Sequence, residues 1–503
     1  MRPFLVCALL AASAAPAAAQ LITIRTLPVS QSDQFAIFPS HNMGMGGVSI
    51  ALADTLLDPF ANPAKAVRLR MSQVLGAPTT YTVTGGAGAG RTLPIGAFSR
   101  HGAWFGGAWL ALQQVDAGRQ TQDQFFPFAP VPEAGQDVID PDGVLVGLDA
   151  RSHGNTFLFG SVGKTDASRG LSVAASAFWS GLHAVDGVDL LYSGSAGVRQ
   201  AGHSIDLRLG ALKEWDSGRT LEAVLLFDRY AMRHDVAYLD VFWDPGLQTF
   251  NRRSRLDRNL DRTHTWGAHV AYERPLATPG WRMGWIATAN HMTHPKIPNY
   301  TIMSIPRDPG NSNAFNVGLG LSRTRGGVTF GVDVIYEPIW SHTWADAAGP
   351  VETIQGDTIP AGGMTIENHF QFSNALLRLG VATDFAAETR VPSAAMQLGL
   401  VVRSISYRLK QFDHVVQSGR TQDESWVEWT PTWGVTFRLP GLELRYQGNM
   451  THGTGRPGVR QDFILDRAPS TAGGGIIAAP SGPLTLDEVS VVAHRISVSV
   501  RLR

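Results

Sequence analysis

The chain has 503 residues, with 42 Lys and Arg balanced by 42 Asp and Glu, so its formal net charge of zero gives no electrostatic case for a nucleic-acid partner. Its one cysteine, Cys7, lies in the apolar leader, which excludes a disulfide framework and thiolate metal sites from the remainder of the chain. Beyond that leader no uninterrupted apolar run of about 18 residues offers a spanning helix.

Residues 1–19 read as a secretory signal peptide. Met1-Arg2 is a minimal positive start, Phe4 to Ala15 is apolar, and Ala17-Ala18-Ala19 before Gln20 suits cleavage. An exported chain, rich in glycine, without cysteine and without a linker or charge block to divide it, fits either an outer-membrane barrel or a large secreted β protein.

Residues 42–66 come next. They combine Gly44, Gly46 and Gly47 with an apolar run ending at Asp54 and the tripeptide Asn62-Pro63-Ala64. Glycines interrupt Met43 to Leu52, so a stable free helix is not expected there, and they allow the backbone to pass close to a wall. Pro63 fixes its own φ and biases Asn62 to an extended conformation, and the Asn62 side chain can bond nearby backbone. The expectation is a compact corner.

Period-two alternation recurs from about residue 72 to the end. In Ser204–Trp215 the residues Ile205, Leu207, Leu209 and Ala211 share one face, with Asp206, Arg208 and Gly210 on the other. After the turn Asp216-Ser217-Gly218-Arg219, Leu221, Ala223, Leu225 and Phe227 fall opposite Glu222 and Asp228. A barrel strand in lipid reads this way, apolar outward and polar inward. A sandwich strand alternates too, so the connections decide. Short turns near 100–102, 165–169, 216–219, 275–280, 324–327, 386–392 and 439–441 alternate with long polar segments near 116–142, 182–202, 237–262, 293–313, 339–369, 411–426 and 452–489. Short periplasmic turns and long extracellular loops are the habit of outer-membrane barrels.

The expected fold is therefore all-β, a transmembrane antiparallel β-barrel of fourteen strands counted back to residue 103, or sixteen if 72–84 and 93–100 add a pair. Many strands look longer than the roughly 9–11 residues that cross a bilayer, so the barrel should stand above the membrane. Trp215, Tyr230, Trp281, Trp340, Trp344, Trp426 and Trp429 near strand ends suggest interfacial girdles. The closing strand alternates Ile496, Val498, Val500 and Leu502 with Arg495, Ser497, Ser499 and Arg501, and ends on Arg503 where barrels commonly end on an aromatic residue.

The Gly46-Gly47 pair, the apolar stretch to Asp54 and Asn62-Pro63-Ala64 resemble the N-terminal hatch of the long-chain fatty acid transporter family and its secretion-associated relatives. Thr55 stands where that pattern has a second Asp, and Lys65 where it has a final Gly. The motif covers about 25 residues; over the rest of the chain the resemblance is architectural. It implies a signal peptide at 1–19, a hatch or plug at 20–70 and a monomeric barrel at 71–503. It further implies passage of hydrophobic molecules through the lumen and out by the wall or past the hatch. The hatch-motif residues are Gly44, Gly46, Gly47, Asp54, Asn62 and Pro63. The alternative is a barrel of the same superfamily acting as a protein secretion or surface-assembly partner. Implied partners are outer-membrane lipid, a hydrophobic small molecule and the barrel-assembly machinery.

Other candidates are weaker. Phe125, Phe126 and Phe128 form an apolar cluster in a polar loop and could be where a ligand lands. Arg208 or Arg233 could hold a carboxylate head group, although polar lumen residues usually pair with each other. Asp140-Pro141-Asp142-Gly143 reads better as a turn than as a calcium loop. His291 and His294 alone do not make a zinc site, and Gly86, Gly88 and Gly90 lack the Lys-Ser/Thr of a phosphate loop. No residues gather a nucleophile with a base, so no enzyme, cofactor or resident metal is expected, and a membrane-embedded hydrolase has no Ser or Asp with a His to carry it.

Overall fold

The strands owe their ends to glycine turns and their faces to alternation. In the computed structural model, described for residues 34–69, 71–84, 88–117, 152–185, 197–244, 246, 249–294, 310–347, 349–385, 393–457 and 486–502, the strands are β1 (Gln73–Gly76), β2 (Thr79–Val83), β3 (Gly88–His101), β4 (Trp104–Ala117), β5 (Ser152–Asp166), β6 (Leu171–Leu182), β7 (Gly197–Glu214), β8 (Thr220–Asp244), β9 (Thr249–Pro275), β10 (Trp281–His294), β11 (Gly310–Arg325), β12 (Val328–Asp346), β13 (Val351–Glu352), β14 (Thr358–Ile359), β15 (Met364–Phe385), β16 (Ser393–Asp413), β17 (Ser418–Leu439), β18 (Leu442–Pro457) and β19 (Leu486–Arg501). Apart from the small β13–β14 hairpin, each strand pairs antiparallel with its neighbours, and β1 and β2 both pair with β19, which closes the sheet.

β1 and β2 occupy one strand position, because both lie between β3 and β19. The register carries across the break: Ala77 N–H donates to Pro94 O at 3.1 Å and Ile496 N–H donates to Pro78 O at 3.0 Å. The barrel thus has sixteen strand positions. The count of fourteen is corrected upward by the pair at 72–84 and 93–100, which forms β1 with β2, and β3.

One end of the barrel carries tight turns, at Gly102, Gly170, Gly218, Gly280, Gly326-Gly327 and Gly441, each with a glycine at positive φ. A β-carbon would be strained in that left-handed region. At the opposite end three connections expected to be long loops are different. Residues 237–244 and 249–262 continue β8 and β9, which are 25 and 27 residues long. Residues 411–426 are mostly strand, with a turn at 414–417. Residues 339–369 extend β12 and β15 and enclose the β13–β14 hairpin. Strands of this length rise well past the bilayer.

Outward-facing side chains are apolar: Leu93, Leu207, Leu209, Leu225, Val317, Val334 and Leu398 are all exposed. In water each would forgo about 1.5–3 kcal/mol of burial, whereas lipid accommodates them. Inward-facing positions are polar and buried, among them Gln113, Asn155, Asp206, Asp333, Asn374, Thr432 and Gln447. Trp215, Trp340 and Trp429 are exposed as a girdle requires. Tyr230 and Trp426 correct that expectation. They fall on the lumenal parity and pack against the Met232 and Tyr407 clusters, because each sits an odd number of residues from its outward neighbours.

Candidate functional site

Residues 34–69 pass through the lumen with little regular structure: a 3-10 turn at Met43–Met45, the short helix α1 at Asp58–Ala61, and a 3-10 turn at Pro63–Arg68. Their bonds reach inward-facing residues on both sides of the barrel. Gln34 contacts Gln113 on β4, Ser49 contacts Asp333 on β12, Gly46 contacts Thr432 on β17, and Asn62 contacts Glu222 on β8. A segment tied to opposite walls of a closed barrel lies inside it.

Asp54 organises the first half of this segment. It is 1% exposed and accepts from Ser40 Oγ at 2.5 Å and from the N–H groups of His41, Asn42, Leu56 and Leu57 at 2.8, 3.0, 3.2 and 3.1 Å. Burial works to raise its carboxyl, but His41 beside it and these hydrogen bonds hold it below the usual carboxylate range. Asn42 closes the loop from the other side, donating Nδ2 to Val48 O at 2.9 Å while its own carbonyl accepts from Met45 and Gly47. Burial, and then the Arg445 charge, push the His41 imidazole down to about 4, against Asp54 and Glu443.

Gly44 and Gly46 sit where the chain presses on the wall, whereas Gly47 has open space beside it and is held to glycine by its φ of 68°. Gly46 has φ 70°, and a Cβ there would lie 2.9 Å from Leu379 O. The wall answers with glycines of its own. Gly284 and Gly320 are paired across β10 and β11, and Cβ atoms there would strike Ile50. Gly331, Gly380 and Gly399 are paired in series across β12, β15 and β16, and would strike Val48, Met45 and Gly46. Together they form a smooth track for residues 45–50, a feature that the sequence pattern does not reveal.

Arginines from the barrel bind the segment's carbonyls. Arg208 Nη1 donates to Phe60 O and Ala61 O at 2.9 and 3.0 Å, and its remaining N–H groups grip Asp206. Arg378 donates to Gly47 O, Arg445 to Ser40 O, and Arg495 to Phe38 O and Ala36 O. Arg208 is therefore engaged by the protein itself, as is Arg233 through Asp235 at 3.1 Å.

Asn62 caps the second 3-10 turn by accepting from Ala64 N–H at 3.1 Å, and its Nδ2 donates to Glu222 at 3.0 Å and to Ala211 O at 3.3 Å. Pro63 starts that turn, where its missing N–H costs nothing. Lys65 lies between Asp58 at 2.9 Å and Glu222 at 3.3 Å. Burial would lower this ammonium, but the two carboxylates raise it; burial pushes Asp58 up to about 6 despite Lys65. Beside this polar knot stands an aromatic cluster. Phe60 stacks on Phe38 at 4.0 Å and meets Phe159, Phe98 and Trp109 at 4.8, 5.4 and 5.4 Å. The cluster continues through Leu69, Leu75 and Ala77 to the wall. Phe60 lies inside the hatch-like motif, but its partners lie on β3, β4 and β5, beyond the reach of a local pattern. A cavity of about 420 Å³ opens at the tight-turn end, lined by both charged and apolar residues including His41, Arg68, Leu69, Arg438, Leu439 and Glu443.

Other candidates separate. Phe125, Phe126, Phe128 and Asp140–Gly143 lie outside the described residues, as does Gly86. His291 Nδ1 bonds Asn313 at 2.7 Å, and neither it nor His294 belongs to a group of three or more ligating residues among the described residues. Gly90 lies under the Tyr81 ring.

A closed antiparallel barrel with an apolar outer face and a polar lumen defines the class: a β-barrel of the bacterial outer membrane. No family model and no curated relative matches the chain. Among solved structures it is similar to a Pseudomonas aeruginosa FadL homologue, at 11% identity over 95% of this chain and 99% of that one, TM-score 0.45. It is also similar to the Ralstonia pickettii toluene transporter TbuX, at 9% identity over 92% and 97%, TM-score 0.38. A bacterial polysaccharide outer membrane secretin is similar at 9% identity over 86% and 99%, TM-score 0.38.

Proposed function

We propose that this barrel mediates passive uptake of hydrophobic compounds such as long-chain fatty acids, with residues 20–70 acting as a hatch. The observation that carries the reading is the aromatic cluster around Phe60, which runs from the segment to the wall at β1 and β2. Leu75 and Ala77 belong to the cluster on the lumenal side, and Leu93 and Ile95 face outward on the adjacent β3. Pro78 and Pro94 sit at this place and deprive the ladder of two N–H donors. An apolar molecule partitioning into the cluster would meet a thinly bonded part of the wall, with lipid on its far side. The process needs partition and a rearrangement, not catalysis.

The test is uptake of a radiolabelled long-chain fatty acid by cells lacking their own transporter. Expression of the barrel should raise uptake, and Phe60→Ala should change its rate while the barrel still folds. Uptake no greater than in cells without the barrel overturns the reading. The second reading, a secretion or surface-assembly partner, draws on the many buried polar ties that fix the segment in place. It predicts loss of a surface polymer or protein on deletion of the gene, with fatty-acid uptake unaffected.

A further inference from the structure

At the rim opposite the tight turns, on the outer wall, three histidines gather around one carboxylate. His342 Nε2 and His369 Nε2 lie 2.8 and 3.0 Å from the same oxygen, Glu367 Oε1. His342 and His369 face each other across the β12–β15 ladder with rings parallel and 4.4 Å apart. His414, in the β16–β17 turn, brings Nε2 to 3.7 Å from Glu367 Oε2, and that buried nitrogen has no hydrogen-bond partner. The His414 N–H donates to Thr365 O at 2.8 Å, which fixes the turn over β15. The cluster starts one outward position beyond Trp340 on β12, with Trp344 as the next outward residue and the polar side chains of Gln371 and Lys410 exposed beside it.

We propose that His342, Glu367 and His369 form a binding site for a divalent transition-metal ion of the zinc type, with His414 orienting the carboxylate. Ligand atoms of a tetrahedral zinc site, bonded at about 2.0–2.1 Å, stand about 3.3 Å apart. The three candidate atoms lie within 4.8 Å of one another, and the closer pairs already match this spacing to within half an ångström. Two imidazoles donate to one oxygen while a third ring nitrogen, His414 Nε2, makes no hydrogen bond. A cation would relieve this crowding, each ring shifting its proton to Nδ1 and ligating through Nε2. Two nitrogens and one oxygen suit zinc and leave a fourth position for water. A bound ion would tie β12 to β15 and, through His414, to the β16–β17 turn.

The test is calorimetric titration of the chelator-stripped, detergent-purified full chain with Zn²⁺. One saturable site per barrel is expected, weakened by about tenfold or more in His342→Ala, His369→Ala and Glu367→Gln, and less in His414→Ala. Co²⁺ in the same site should give the visible absorption of a four-coordinate ion. His291→Ala should bind as the unaltered chain does. Retention of the folded, heat-modifiable form on gels checks each variant. If the unaltered barrel binds Zn²⁺ no more tightly than a folded His342→Ala/His369→Ala double variant, the proposal fails.

Discussion

Asn62 Oδ1 lies 2.1 Å from where a Cβ at position 210 would stand, so the hatch-like segment closes on β7 only because the wall residue is Gly210. Gly210→Ala would push Asn62 away from Ala211 O and Glu222 and crowd Pro63, whose Cδ lies 2.9 Å from the same point. Overpacking of this kind costs about 1–3 kcal/mol. The cost should fall on docking of the segment, since position 210 otherwise keeps its ladder partners Ala174 and Val224. Limited proteolysis within residues 34–69 should therefore accelerate while the barrel keeps its heat-modified gel mobility. Equal cleavage rates would show that Gly210 has no part in docking.

Asp54→Ala should be far more damaging than Thr55→Ala. The first leaves four N–H groups, those of His41, Asn42, Leu56 and Leu57, without their carboxylate acceptor. Each buried, unsatisfied donor costs about 1–3 kcal/mol, so partial repair by water still leaves a loss of several kcal/mol. Thr55 is half-buried and should change docking by no more than about 0.5 kcal/mol. Amide hydrogen exchange across residues 40–57 distinguishes the two, with protection lost only in the Asp54 variant.

These contrasts mark what was legible in the sequence. The Asp54 role is local: its partners lie within about fifteen residues, so a short motif carries it, whereas Asn62 joins a local cap at Ala64 to Ala211 and Glu222, 149 and 160 residues away. The glycine track is not local. Gly46 meets Thr432 at a separation of 386 residues, and no short pattern announces Gly380 or Gly399 as the floor beneath Met45. The long strands were missed for a different reason. Asn251-Arg252-Arg253-Ser254-Arg255 carries no apolar alternation and looks like a loop, though it continues a strand. The tight turns, marked by Gly218, Gly280 and Gly441, were readable because positive φ restricts the residue choice.

Two titrating groups of the segment should nearly cancel in moderate acid. His41 has its folded value lowered to about 4 from 6.5, so between these limits the undocked state holds more protons and docking weakens as pH falls. Asp58 is raised to about 6 from 3.8, so between these limits the docked state holds more protons and docking strengthens as pH falls. From pH 6 to 4 the two slopes oppose, and docking should be nearly flat. Below that window Asp54, held under its ordinary 3.8, starts to protonate and docking weakens. Asp58→Asn removes one slope, so docking should then weaken steadily from pH 6.5 to 4. Hydrogen exchange of residues 34–69, corrected for intrinsic rates, reads both curves; a flat response in the Asp58 variant would contradict the assignment.

Removal of residues 20–66 should convert the barrel into an open pore. The lumen would lose Phe60 and Lys65, and the inward residues Gln113, Asp333, Glu222 and Arg495 would face water in place of the segment. Their polarity favours hydration, so small ions should pass. Planar-bilayer conductance is expected to rise from near baseline to large, steady steps. A milder form comes from Gly380→Val, because a Cβ there stands 2.2 Å from Met45 O and cannot be accommodated without displacing residues 45–47. That variant should give intermittent openings, since the Asp54 and Asn62 anchors remain. Unchanged conductance in the deletion would show that residues 20–66 do not close the lumen, whatever they contribute to folding.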